Sequence, residues 1–330
     1  MVIRKSGYYD AFRCLAGTCP DSCCKDWIID IDAAAAGYYR SLPGRLGEDL
    51  RAVLNTEEDG AVWMELEDGR CPMWRSDGLC RIQAELGETA LCDTCRDYPR
   101  LRHDYGSFTE LQLELSCPEA ARLIMGSEDG SFTEQEEPGG SEPDYDEGGM
   151  EVLLRSRRQA LELLDAEMPL NRILAALLIF GSRAQAELDG EAPGRFDLNA
   201  ALETAESFAQ PGGEAGFLQF FKGLEILTPE WNGLLDAPGG HGIPEELRPA
   251  ARYLVKRWWL QAVSDSWLAE RVKMIVSACI LIGLLGGDPQ RTAQLYSKEI
   301  ENDADNVDAL LEAAAEDPAF TDARLLGMLL

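Results

Sequence analysis

Histidine is nearly missing from this chain: His103 and His241 are the only two in 330 residues. That excludes a catalytic zinc site built on imidazoles, and it leaves Cys23 or Cys24 without a nearby histidine base for protease-type attack. Positive charge is also scarce, with 30 Lys and Arg against 59 Asp and Glu and a net charge of −29. Such a field repels the phosphates of nucleic acid and the anionic face of a membrane, so neither is an expected partner. It favours basic, lysine-rich protein surfaces, although an acidic surface also simply confers solubility. Long apolar runs are lacking: the most apolar stretch, 274–285, follows Arg271 and Lys273 and is too short to cross a bilayer. Residues 1–14 carry Arg4, Lys5 and two adjacent tyrosines, with no apolar run and no small-residue cleavage site, so a cytoplasmic location is expected. There is no G-x-S-x-G elbow, no P-loop and no H-E-x-x-H.

What the chain does have is cysteine. Nine of the ten lie between Cys14 and Cys117, while Cys279 sits in the apolar 274–285 stretch and reads as a small core residue. In a reducing cytosol a dense thiol set without a secretion signal points to metal ligation rather than to disulfides. The first group is C-x4-C-x3-C-C, made of Cys14, Cys19, Cys23 and Cys24. Cys19 and Cys23 are one helical turn apart, whereas the adjacent Cys23 and Cys24 point in different directions, so that one of them is free for a second metal or a substrate. The second group is Cys71, Cys80, Cys92 and Cys95, ending in C-x2-C, and Cys117 follows a strand just before Pro118. Soft thiolates select zinc, copper(I) or iron–sulfur clusters. Nine thiolates serve one four-ligand cluster plus a structural zinc, or two four-thiolate sites, and spacing does not separate the two. His103 is eight residues beyond Cys95 and reads as a surface residue more readily than as a ligand.

The patterning predicts a mainly α protein, with a small Cys-rich α+β metal-binding region followed by an all-α part. Three divisions are expected: 1–126, a cysteine-rich iron–sulfur domain; 127–149, an acidic flexible linker or loop; and 150–330, a helical domain. Strands are suggested by Trp27, Ile29, Ile31, by Val62, Met64, Leu66 and by Leu111, Leu113, Leu115. Asp32 is a predicted N-cap ahead of four alanines, with Pro43 starting the next segment. The linker region has nine acidic residues and no basic ones, with many Gly, Pro and Ser, and buries too little to offset its ordering entropy. Beyond it, Leu153, Leu154, Arg157, Leu161 and Leu164 trace a helix face, and Ile173, Leu174, Leu177 and Leu178 another. Asp197 precedes a third helix, 245–263 and 267–285 form a helical hairpin, and Asp288–Pro289 is an N-cap and N1 pair. Trp258, Trp259 and Trp267 read as core packing rather than as a pocket.

The runs CLAGTCPDSCCKDW, CPMWRSDGLCRIQAELGETALCDTCRDYPR and LSCPEAARLIM resemble the flagellin lysine-N-methylase family, which overlaps a wider group of zinc- or iron-chelating cysteine-cluster proteins. The resemblance is specific between Tyr8 and Met125 and looser around RYLVKRWWLQAV. It implies a methyltransferase that moves a methyl group from S-adenosylmethionine to lysine ε-amines of flagellin, or of another lysine-rich protein, and that requires an iron–sulfur cluster of the 4Fe–4S type. The nine cysteines from Cys14 to Cys117 are the positions carried over as metal ligands. Neither a Gly-rich loop after a strand nor the C-x3-C-x2-C spacing of radical S-adenosylmethionine enzymes is present, so catalytic and cofactor-binding residues are not assignable from the sequence. The competing readings are a non-catalytic zinc- or iron-chelating or redox module, and a zinc-stapled adaptor for basic proteins.

Overall fold

The computed structural model describes residues 1–128 and 131–330. It is mainly helical, with a small α+β region at the amino-terminal side. Among the described residues seven strands form two sheets: β1 Val2–Ser6, β2 Ile29–Asp30, β3 Leu54–Thr56, β4 Val62–Met64, β5 Arg100–Asp104, β6 Phe108–Leu113 and β7 Phe132–Glu136. One sheet has the order β5-β6-β1-β7 and the other β2-β4-β3. β1 runs parallel to β6, with Ile3 opposite Thr109, and antiparallel to β7, with Arg4 opposite Glu134. The three strands predicted from alternation fall at β2, β4 and β6, somewhat shorter or shifted by a few residues.

The acidic stretch is not all loop. Asp129 and Gly130 lie outside the described residues, but immediately after them β7 pairs along β1. Its composition argues for solvent, yet backbone pairing is indifferent to side chains, Arg4 bonds Glu134 at 2.9 Å, and Phe132 lies under the cations of Arg157 and Lys256.

Helix starts follow the predicted caps. Asp32 accepts from the Ala35 amide to open Ala33–Ser41, Asp197 caps Leu198–Phe208, and Asp288 with Pro289 opens Pro289–Tyr296. The segment 245–263 is broken rather than continuous: Arg248–Trp258 is α-helical, flanked by 3-10 turns Glu245–Leu247 and Trp259–Val263. Leu268–Leu285 is almost wholly buried, Cys279 included. Trp258 and Trp259 are core, whereas Trp267 is 41% exposed at the N-cap of that helix. Among the described residues no helix is long and apolar enough to cross a membrane.

Two apolar cores result. The larger joins Tyr8, Phe12, Phe108 and Leu113 to Ile124 with the helices from Met150 onward. The smaller is confined to the thiol-rich part, from Ile29 to Cys92. Within the larger core, Arg157 leaves its predicted apolar stripe to pair bidentately with Glu110 on β6, at 2.5 and 2.7 Å, both side chains being buried. After Pro289–Tyr296 the chain widens into a π-helical turn, Ser297–Glu301. Glu301 in that turn accepts from Trp258 Nε1 at 2.7 Å and from the Tyr253 hydroxyl at 3.2 Å.

Candidate metal centre

The smaller core is built to bring thiols inward. The Cys71 amide donates to the Cys24 carbonyl at 2.9 Å, locking the chain ahead of β2 to the chain after β4. The turn 75–79 is closed by hydrogen bonds between Arg75 and Leu79 and between Gly78 and Arg75, and a bridge joins Trp74 to Cys80. Gly78 takes φ +80°, and a Cβ there would meet the Gly17 backbone at 2.8 Å, so the loop carrying Cys14 and Cys19 can press against this turn. Cys80, Cys92 and Cys117 each occupy the N-cap position of a helix, where unpaired amides favour negative sulfur.

Five of the nine predicted ligands, Cys24, Cys71, Cys80, Cys92 and Cys95, line one cavity of about 20 Å³. Its other walls are apolar, with Met64 and Met73 among them, and Cys71 makes only a 3.6 Å contact to the Met64 sulfur. Burial pushes the Cys71 thiol up to about 12. A hydrogen bond from Cys23, opposed by burial, brings Cys24 down to about 7. Cys95 likewise lowers Cys92 by donating to it, and is itself raised. The remaining four, Cys14, Cys19, Cys23 and Cys117, lie outside that cavity but are continuous with it through Cys24, which acts on both Cys19 and Cys23; burial and the Cys19 and Cys14 sulfurs push Cys117 up to about 11. Cys14 and Cys23 are exposed there.

All ten cysteines are free thiols. Among the described residues no three of the His, Cys, Asp and Glu side chains are closed into a metal-holding group. The donor chemistry nonetheless fits a soft metal: sulfur donors only, apolar walls, and helix amides behind two of the five. His103, expected at the surface, is half-buried on β5. Its Nε2 has no hydrogen-bond partner, and burial together with Arg257 pushes its pKa down to about 4. It is not among the cavity residues.

The adjacent pair divides between two spaces. Cys24 faces the thiol cavity, while Cys23 lines a cavity of about 450 Å³ between the 21–30 loop and the π-helical turn. This larger space was not legible in the sequence, because its far wall comes from residues some 200–280 positions away. The loop is pinned there by Asp21, which is 6% exposed and accepts from Lys298, Arg291 and Gln294. Burial alone would raise that carboxyl, but Lys298, Gln294 and Arg291 hold it well below the usual range.

Fold and site thus define a mainly helical protein with a compact thiol-lined module on one side. No family model and no solved structure matches the chain. It is similar to the flagellar biosynthetic protein FliU of Salmonella muenchen, with 30% identity over 135 residues, covering 39% of this chain and 80% of that protein. It is also 30% identical over 135 residues to the lysine-N-methylases of Salmonella typhimurium and Salmonella choleraesuis, where the match covers 39% of this chain but only 34% of each relative. The chain belongs to the flagellin lysine-N-methylase family.

Proposed function

We propose that this chain is a protein-lysine N-methyltransferase that uses S-adenosylmethionine to methylate lysine ε-amines of flagellin and that depends on a cysteine-ligated iron–sulfur cluster. The observation that carries the cluster is the convergence of Cys24, Cys71, Cys80, Cys92 and Cys95 on one apolar-walled cavity. The relationship to two proteins named lysine-N-methylase supports the reaction, and FliU supports a flagellar substrate. Four of those five thiolates suffice to hold a 4Fe–4S cluster, which would supply a rigid, redox-active centre.

The reaction needs a neutral amine in line with the sulfonium methyl, whereas a free lysine titrates near about 10.4. The chain's own contributions are the apolar walls around the thiol cavity and the strongly acidic composition, which favours lysine-rich substrate. The test is anaerobic reconstitution with iron and sulfide, followed by incubation with S-adenosylmethionine and flagellin and mapping of lysine mass shifts. One-methyl increments on lysine that vanish in Cys24→Ser and Cys80→Ser uphold the reading. Stoichiometric zinc with no visible charge-transfer absorption and no methyl transfer leaves a chelating module instead.

A further inference from the structure

The 450 Å³ cavity beside Cys23 has the size of a pocket for a nucleoside-sized ligand rather than a slot for one aliphatic side chain. One wall is aromatic. The Trp27 indole is fixed by its Nε1 donating to the Cys23 carbonyl at 2.6 Å, and its ring lies 5.8 Å from that of Tyr98. Tyr98 is held in turn by a 3.1 Å hydrogen bond to Ser116. These anchors leave two half-buried ring faces at fixed positions, which suits a planar base or a cation.

The electrostatics are equally particular. Six carboxylates and two ammonium groups line the space, an excess of four negative charges. Lys25 and Lys298 sit at one end, each shared between Asp21 and Asp26, with contacts from 3.0 to 3.5 Å. That end presents both signs and matches a zwitterionic amino-acid group. Among the described residues Asp30 and Glu225 have no ion pair or side-chain hydrogen bond, Glu225 bonding to Asn306 only through its backbone, and they leave the rest of the cavity attractive to a cation or a sugar diol. Two unusual backbone features also meet here: Asp26 has φ +69°, and the opposite wall is the π-helical turn.

We propose that this cavity is the S-adenosylmethionine site, with Trp27 and Tyr98 taking the adenine or the sulfonium, Lys25, Lys298 and their aspartates taking the methionine end, and Asp30 with Glu225 supplying negative potential. The proposal rests on the methyltransferase reading and gives it a location. Cys23 and Cys24 then place the bound nucleoside directly beside the thiol cavity, through one peptide bond.

The experiment is calorimetric titration of the full anaerobically prepared chain with S-adenosylmethionine and, separately, with S-adenosylhomocysteine, which lacks the sulfonium charge. Asp30→Lys combined with Glu225→Lys cancels the excess of four charges at two exposed positions without touching the ion pairs. It is expected to weaken S-adenosylmethionine by about tenfold or more and S-adenosylhomocysteine by less. Trp27→Leu is expected to weaken both by about tenfold. A folded double variant that binds both ligands within twofold of wild type overturns the location while leaving the methyltransferase reading intact. A wild-type chain that binds neither ligand overturns both. If Trp27→Leu fails to fold, by circular dichroism, the charge-reversal pair alone decides.

Discussion

Asp21→Asn isolates the joint between the thiol-rich module and the helical body. The wild-type carboxylate takes Lys298 at 3.2 Å, Arg291 at 3.0 Å, Lys25 at 3.0 Å and Gln294 at 3.1 Å, with 4% of its side chain exposed. Asparagine keeps the shape and removes the charge, leaving Lys298, which is 11% exposed, with Asp26 alone at 3.1 Å. Breaking a buried pair from one side costs about 3–5 kcal/mol. Arg291 and Lys25 are 35% and 32% exposed and recover solvation, and Lys298 keeps Asp26, so the low end of that range is the upper bound here, about 3 kcal/mol. For a chain of this length that is a fall on the order of 5 °C in thermal midpoint. The pH dependence follows from the sign of the shift. The folded-state carboxyl titrates below its unfolded value, so its stabilisation is fully present above the ordinary carboxylate range and is lost as pH falls through the folded value. The gap between wild type and variant is therefore flat from about pH 8 to 5 and narrows only in stronger acid. Thermal unfolding across that range is the assay. A gap below about 0.5 kcal/mol at neutral pH, or one that closes between pH 8 and 6, refutes the argument.

Cys24→Ser or Cys80→Ser lowers bound iron per chain in anaerobic reconstitution, while Cys279→Ser, buried far along the chain in Leu268–Leu285, leaves it unchanged. Metal addition to the apo-protein releases protons in a pH-stat titration near neutral pH, because burial holds Cys71 and Cys80 protonated until a metal displaces the proton; no release contradicts that. Arg157→Leu costs about 3–5 kcal/mol by leaving buried Glu110 with only the longer 3.8 Å contact to Arg4, and adding Glu110→Leu recovers much of the loss, which a double-mutant cycle in urea reads directly. Metal removal accelerates amide exchange in the smaller core, residues 29–92, far more than in β6 and Pro118–Met125, which belong to the larger core.

Much of the helical part was legible because its signals are local. Asp32, Asp197 and Asp288–Pro289 each announce a helix through the next three amides, and no distant residue alters that. β1 and β7 were not legible, since VIRKS and FTEQE are short and largely polar and become strands only by pairing with each other and with β6. The break after Trp258 escaped periodicity as well, because a 3-10 turn keeps apolar residues nearly in phase with a helix. At the site, cysteine count and order were plain, but adjacency suggested that Cys23 and Cys24 point apart, whereas the two thiols hydrogen-bond to each other while lining different cavities. Which five thiols share a cavity depends on the 75–79 turn and the Cys71–Cys24 backbone bond, neither of which leaves a pattern in spacing. Arg157 on an apolar stripe was the one readable sign of a buried partner.

The parallel pairing of β1 with β6 has a consequence for biosynthesis. Val2–Ser6 is an interior strand of its sheet, flanked by partners that begin at Phe108 and Phe132. A ribosome delivers Val2–Ser6 before either partner, yet the strand has neither to pair with until more than a hundred further residues have emerged. The thiol module, with all its sheet contacts between Ile29 and Met64 and its last cavity cysteine at Cys95, has been synthesised before either partner begins, with β6 close behind it and β7 and the larger helices later. The nascent chain therefore passes through an interval in which the five cavity cysteines have emerged while β7 and the helices from Glu147 onward are still absent, and those thiols lie open to the surroundings.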